Sequence, residues 1–116
     1  MIHLDTHAVV WLYQKEKNRF TAEGRRLIER EELFISPIVE LEIEYLFEIE
    51  KIRERSKVIL DYLRRRIGLH ISEDPFPEVI KMALELKWTR DPFDRIITAH
   101  AAAGDIRLLT QDAAIH

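Results

Sequence analysis

Two kinds of apolar pattern alternate along the chain. Short runs rich in Ile, Leu and Phe predict β-strands, whereas longer segments with apolar residues every three or four positions predict α-helices. Capping residues and prolines mark several helix starts, and Gly68 and Gly104 mark two helix ends. The predicted strands are residues 2–4, 33–36, 69–72 and 107–110, and the predicted helices are residues 6–14, 21–31, 37–51, 56–67, 77–87 and 92–103.

This alternation predicts an α/β fold. Strands separated by helices pair in parallel through right-handed crossovers, which gives a short central parallel sheet with helices on both faces. Sheets of this kind bind their ligands beyond the carboxyl ends of the strands. We therefore expect the functional residues to lie at that edge.

Length, net charge and cysteine content exclude several classes of protein. The 116 residues, 47% of them apolar, are enough for one domain with one core, and we expect a single domain over residues 1–116. The 18 Lys and Arg against 21 Asp and Glu argue against binding nucleic acid by bulk positive charge. Without cysteine, thiolate metal sites and disulfides are excluded. No signal peptide or membrane span is expected, which favours a cytoplasmic location.

Two aspartates follow predicted strands. Asp5 ends the run IHLD and Asp112 follows the run RLLT, so both are expected at the carboxyl edge of the sheet. An aspartate after a strand is also a common helix N-cap, and each of the two residues alone fits either role.

A third acid comes from the predicted helix over residues 37–51. Glu40, Glu44 and Glu48 follow one another four residues apart and predict a solvated polar ridge, whereas Glu42 lies within the apolar stripe. A buried carboxylate must be protonated, paired or bound to a cation. A salt bridge to an arginine and a cation site both fit Glu42.

The segment WTRDPFDRI contributes two more carboxylates. Asp91 precedes Pro92 and fits the N-cap of the last predicted helix. Asp94 lies in the first turn of that helix, on the same face as Ile97 and Ala101, and is predicted to point inward.

Converging carboxylates repel one another, and a hard divalent cation with oxygen ligands relieves that repulsion. Mg²⁺ or Mn²⁺ fits such a site best. A zinc site has little support, because His3 and His7 straddle a strand and a turn, and His100 is expected to be a hydrogen-bonded core histidine.

Four segments carry a resemblance to a known family. LDTHAVVWL, ISPIVELEI, RDPFDRIITAHA and RLLTQD resemble, in order and spacing, segments of PIN-domain proteins, and the nearest resemblance is to VapC-type ribonuclease toxins of toxin–antitoxin systems. The resemblance implies a three-layer PIN-like sandwich. It also implies a catalytic, metal-binding quartet of Asp5, Glu42, Asp94 and Asp112, supported by Thr6, Asp91 and Thr110.

The same resemblance implies an activity and a partner. PIN-like toxins hydrolyse RNA phosphodiester bonds with water activated by Mg²⁺ or Mn²⁺, and a cognate VapB-type antitoxin blocks the site. Arg90 and Arg95 flank the acidic pair and fit phosphate contacts, although each also fits a structural pair with a neighbouring aspartate. A non-catalytic PIN-like module that binds RNA or protein, and a solitary RNA-processing nuclease, remain as alternatives.

Partner surfaces are predicted at the first helix. Residues 8–13, AVVWLY, are apolar around the whole helix, so one face should meet the sheet and the other a second protomer or an antitoxin helix. Trp11 and Tyr13 are the expected interface anchors, and we expect a homodimer; the alternative is a helix enclosed by its own domain. The sequence stops four residues after Asp112, so we expect the usual C-terminal edge strand of the family to be missing.

Overall fold

The structure, a computed structural model, describes residues 1–110, in which strands and helices alternate as predicted. The strands are β1 (Ile2–Leu4), β2 (Leu33–Ile35), β3 (His70–Ile71) and β4 (Arg107–Leu109). The helices are α1 (Thr6–Tyr13), α2 (Ala22–Arg30), α3 (Pro37–Glu48), α4 (Ser56–Ile67), α5 (Phe76–Glu85) and α6 (Pro92–Ala103), with a short 3₁₀ helix at Lys17–Arg19. No helix in this part of the chain is long and apolar enough to cross a membrane.

The four strands form one parallel sheet in the order β3-β2-β1-β4. Strand β1 lies in the centre, where His3 pairs with Phe34 of β2 and Leu108 of β4. Because all strands run the same way, the residues that follow them lie at one edge. The predicted α/β fold with a short parallel sheet is confirmed.

The core lies mainly on one side of this sheet. Ile2 and Leu4 point to that side, where they belong to a cluster of buried apolar side chains from α1, α3 and α4. His3 points to the other side of β1 because successive strand residues alternate. There it contacts His100 of α6, and a smaller apolar cluster joins α6 to α5. Helices therefore pack against both faces of the sheet.

Four helices begin at side chains that cap their first turn, and in α2 the cap is Thr21, which accepts from the backbone N–H of Gly24 at 3.0 Å. Asp5 accepts from the backbone N–H of Ala8 at 2.9 Å, Ser36 from that of Ile38 at 3.4 Å, and Asp91 from that of Phe93 at 2.9 Å. Asp5 and Ser36 follow strands β1 and β2 directly, so the caps fix how the chain leaves the sheet.

Two predictions about α3 were wrong. The helix ends at Glu48, three residues before the predicted end, where Glu50 adopts a left-handed backbone with φ of 63°. Glu44 is not part of a solvated ridge: it accepts from the Arg55 guanidinium at 2.7 Å and from the backbone N–H of Ser56 at 3.1 Å. The turn after α3 brings the start of α4 into contact with Glu44. A helical wheel of α3 alone cannot predict a contact with another helix.

Glu44 should therefore stabilise the fold in a pH-dependent way. Its hydrogen bonds from Arg55 and Ser56 lower the pKa of the Glu44 carboxyl. A lowered folded pKa means that stability is present above the ordinary glutamate pKa and is lost as the pH falls through the folded value. Urea unfolding should show that Glu44→Gln is less stable than wild type near neutral pH and that the difference shrinks in acid.

Glu48→Gln is the matched control, because Glu48 is exposed one turn further along α3. Its unfolding free energy should follow that of the wild type at each pH. An equal loss for Glu44→Gln at neutral and acidic pH would contradict the role assigned to its charge.

Candidate functional site

Asp5 lies at the carboxyl end of the central strand. Its backbone N–H donates to the carbonyl of Leu109 at 3.1 Å, which continues the pairing of β1 with β4. Its side chain is half-buried, and one carboxylate oxygen receives the N–H of Ala8. The carboxylate is therefore fixed between the sheet edge and the first turn of α1.

Glu42 approaches the same edge from α3. Its side chain is half-buried and accepts a short hydrogen bond from the hydroxyl of Thr6, which is fully buried next to Asp5. Burial raises the pKa of Glu42, and the nearby carboxylates of Asp91 and Asp94 raise it further. The Thr6 hydrogen bond acts in the opposite direction. Glu42 is thus a carboxylate whose negative charge is poorly compensated.

Asp94 supplies the third carboxylate, from the first turn of α6. The sequence predicted that Asp94 points inward, but the residue is exposed; the burial that it does have, together with the neighbouring Asp91, raises the pKa of its carboxyl. Helices α3 and α6 are in contact here, since the rings of Tyr45 and Phe93 have centroids 5.9 Å apart. We call Glu42, Asp91 and Asp94 the acidic cluster, and Asp5 borders it through Thr6.

The acidic cluster has the chemistry of a cation site. Two of its carboxylates have raised pKa values, partly because they lie near other carboxylates, and a bound divalent cation would relieve that repulsion. Oxygen ligands of this type suit Mg²⁺ or Mn²⁺. In residues 1–110, carboxylate oxygens from Asp5, Glu42 and Asp94 do not all come within 4.8 Å of one another. The described residues fit the ion chemically, and its ligation by them stays a prediction.

Three further residues were predicted to belong to the site: Asp112, Thr110 and Asp91. Asp112 lies outside the described residues. Thr110 is half-buried directly after β4, at the same edge as Asp5. Asp91 is exposed and caps α6, as the sequence predicts.

The two arginines differ from each other. Arg90 is exposed beside Asp91. Arg95 instead donates from Nη2 to the carbonyl of Ala83 in α5 at 2.8 Å, and its buried Nε has no hydrogen-bond partner among residues 1–110. Arg95 therefore ties α6 to α5, and contact with phosphate stays a prediction for both residues.

Trp11 and Tyr13 are packed within the chain. Trp11 is half-buried against Phe20, with ring centroids 5.4 Å apart, and the Arg19 guanidinium lies 5.5 Å from its ring. Tyr13 packs edge-on against Tyr62 at 5.4 Å. Each residue keeps part of its surface accessible, and a role in an interface stays a prediction.

Sequence reasoning missed one neighbour of the acidic cluster. His7 is exposed in the first turn of α1, and its imidazole acts to lower the pKa of both Glu42 and Asp94. The available signal was its position two residues after Asp5, since the first turn of a helix that follows a strand lies at the ligand-binding edge.

Comparisons with known proteins agree with this architecture. The PIN domain family model matches residues 2–116. A similar solved structure is the crystal structure of VapBC2 from Rickettsia felis bound to a DNA fragment from their promoter, with a TM-score of 0.64, 25% sequence identity, and coverage of 93% of this chain and 86% of that chain. A comparison with curated protein sequences finds no match. The family model spans nearly the whole sequence and the resemblance seen in the motifs is confirmed, so this chain belongs to the PIN-domain family.

Proposed function

We propose that this protein is a divalent-metal-dependent endoribonuclease and the toxin of a VapBC-type pair. PIN domains are generally nucleases, and the similar solved structure is a VapBC complex. The observation that carries the proposal is the acidic cluster: Glu42 and Asp94 come from different helices, α3 and α6, yet the charge of Asp94 raises the pKa of Glu42 near the ligand-binding edge of the sheet.

Asp5, Glu42, Asp94 and Asp112 are the residues that would hold the cation, here Mg²⁺ or Mn²⁺. When bound, the cation supplies positive charge that polarises the phosphodiester and activates water for attack. The chain does the positioning. The N–H of Ala8 fixes Asp5, the Thr6 hydroxyl orients Glu42, and Thr110 lies beside the strand end.

Proton transfer is assigned to a carboxylate. Hydrolysis joins the water oxygen to phosphorus, breaks one P–O ester bond and releases a proton from the water. We assign that proton to Asp94 or Asp112, the two carboxylates that the family resemblance offers for this role, and the leaving oxygen takes a proton from solvent.

An exposed aromatic and a cation precede Asp91 of the acidic cluster in the sequence. Trp88 is 66% exposed and Arg90 is exposed, and both belong to the segment that leads into the Asp91 cap. An exposed indole is a stacking platform for an unpaired base, and an arginine attracts phosphate. The pair fits single-stranded RNA better than a rigid duplex, because stacking requires an unpaired base.

The proposed partner is a VapB-type antitoxin in the cytoplasm. Apolar side chains of α3 and α4 remain accessible to a partner, with Leu41 57% exposed, Tyr45 46% exposed and Val58 47% exposed. Surfaces of this kind mark interaction sites. Tyr45 also lies one turn from Glu42, so a segment covering it would obstruct the acidic cluster. We also propose that the toxin forms a homodimer.

The testing experiment is metal-dependent cleavage of RNA. Purified protein should cleave single-stranded RNA with Mg²⁺ or Mn²⁺, stop when the ions are chelated, and resume when they are restored. Asp5→Asn should be inactive yet folded, because an asparagine can still accept the N–H of Ala8. Cleavage that survives chelation, or that persists in Asp5→Asn, would indicate a contaminating nuclease. A folded wild type without any cleavage would favour the non-catalytic binding module.

A further inference from the structure

We propose that this chain carries a second metal site, formed by His3, Asp74 and His100, that binds Zn²⁺ or a similar transition-metal ion. It differs from the acidic cluster in its residues and in the ions that its donor atoms prefer. The inference is independent of the proposed ribonuclease activity.

The three residues come from distant parts of the chain. His3 lies in the central strand, His100 in α6, and Asp74 in the loop after β3. One potential ligand atom from each lies within 4.8 Å of the other two, and the His3 and His100 rings have centroids 5.1 Å apart. The fold thus brings two imidazoles and a carboxylate to one place.

His3 is the observation that points to a ligand. Its side chain is 1% exposed, and neither ring nitrogen has a hydrogen-bond partner among residues 1–110. A buried imidazole without a partner loses its hydrogen bonds to water and gains none in the protein, which costs free energy. A metal ion at this place would accept the lone pair of one nitrogen and supply the missing partner.

His100 is held in the orientation that a metal ligand needs. Its Nδ1 lies 2.8 Å from the Ser36 hydroxyl, and its Nε2 lies 3.0 Å from the Ser72 hydroxyl. In the metal-bound form Nδ1 would carry the proton and donate it to Ser36, and the Nε2 lone pair would face the ion instead of Ser72 and Asp74. A hydrogen bond to the other ring nitrogen is the usual support of a metal-binding histidine.

Asp74 completes the site from the solvent side. Its Oδ2 lies 3.3 Å from His100 Nε2 and accepts from the Ser72 hydroxyl at 2.9 Å. Its side chain is 45% exposed, so an ion can enter and the carboxylate can move inward. Ligand atoms in a tetrahedral zinc site are about 3.4 Å apart, given Zn–N bonds of roughly 2.1 Å. Asp74 and His100 already have this spacing, and the remaining separations, at most 4.8 Å, shorten on binding where they exceed it.

The donor set selects the ion. Two imidazoles and one carboxylate suit Zn²⁺, Co²⁺ or Ni²⁺, whereas Mg²⁺ prefers oxygen ligands alone. Burial lowers the pKa of His3 to about 4, an effect that His100 increases and Asp74 opposes. Burial also lowers the pKa of His100. The neutral imidazole is the form that binds metals.

The test is a titration of the full chain, freed of any histidine tag, with Co²⁺ in excess Mg²⁺. The wild type should bind one Co²⁺ with the visible absorption of a nitrogen- and oxygen-ligated ion, and stoichiometric Zn²⁺ should displace it and raise the melting temperature. Asp74→Asn and His100→Gln should each weaken binding at least tenfold, since even supporting residues of metal sites have effects of roughly 10–100-fold.

His70→Gln is the matched histidine control, because His70 is exposed on β3, and its affinity should equal that of the wild type. Asp94→Asn should also bind Co²⁺ normally. Absence of Co²⁺ binding by the wild type, or unchanged binding by Asp74→Asn, would overturn the proposal. So would loss of binding in Asp94→Asn, which would assign the ion to the acidic cluster. If His100→Gln fails to fold, the exposed Asp74 still decides the outcome.

Discussion

Asp94→Asn is expected to lower the rate of RNA cleavage about 10³-fold, because the change removes one negative charge from the proposed cation site at nearly constant side-chain volume. A loss of several kcal/mol in stabilisation of the transition state corresponds to this factor, at about 1.4 kcal/mol per tenfold change in rate. The fold should be retained, because Asp91 rather than Asp94 caps α6.

Single-turnover cleavage of a labelled RNA in Mg²⁺ or Mn²⁺ measures the effect. Asp61→Asn is the matched control: Asp61 lies on α4 and pairs with exposed Lys57 at 3.2 Å, so its loss should leave the rate unchanged. Equal rates for Asp94→Asn and wild type, with circular dichroism showing both folded, would remove Asp94 from the site.

Glu42→Gln should have two effects of opposite kind. Cleavage should fall about 10²-fold or more, because a predicted ligand loses its charge. The metal-free protein should become more stable, since burial and the carboxylates of Asp91 and Asp94 disfavour the ionised form of Glu42. A glutamine in its place can still accept the hydrogen bond from Thr6.

The stabilisation by Glu42→Gln should increase as the pH rises. The folded pKa of Glu42 is raised, so its ionisation favours the unfolded state. Wild type should lose stability as the pH rises from the ordinary glutamate pKa through the raised folded value, and Glu42→Gln should not. In chelator, the melting temperature of the variant should exceed that of wild type near neutral pH, with the gap closing in acid.

Glu40→Gln provides the control for this experiment, because Glu40 is exposed on the same helix. It should change neither cleavage nor the pH dependence of stability. If Glu42→Gln were less stable than wild type in chelator at neutral pH, the view of Glu42 as an uncompensated buried charge would be wrong. Glu44→Gln, two residues further along, is expected to shift stability the other way.

The sequence predicted the elements of this fold well because its local signals agree. Pro37 and Pro92 each follow a capping residue, and the structure begins α3 and α6 at these prolines. Gly68 ends α4 in a left-handed conformation, as its position after an amphipathic segment predicts. Strand signals separated by helical ones left few alternatives to a parallel sheet.

Contacts between distant segments could not be predicted in the same way. Nothing local relates Glu44 to Ser56, or His3 to Asp74 and His100, because each contact depends on how the chain returns to the sheet. The same limit applies to the bond from Arg95 to the carbonyl of Ala83 in α5, which its position next to Asp94 in the sequence did not suggest. The acidic residues were easier to foresee, since Asp5 follows a strand and Asp94 lies in the first turn of a capped helix.

The central position of β1 has a consequence for the timing of assembly during translation. Its partner β2 is made soon afterwards, but its other neighbour, β4, ends at Leu109. At roughly 5–20 residues per second, a ribosome needs about 4–15 s to proceed from the end of β2 to the end of β4. Throughout this interval the nascent chain has Asp5 but lacks the strand beside it. The sheet edge that carries Asp5 is therefore completed only after β4 has left the ribosome, close to the end of synthesis.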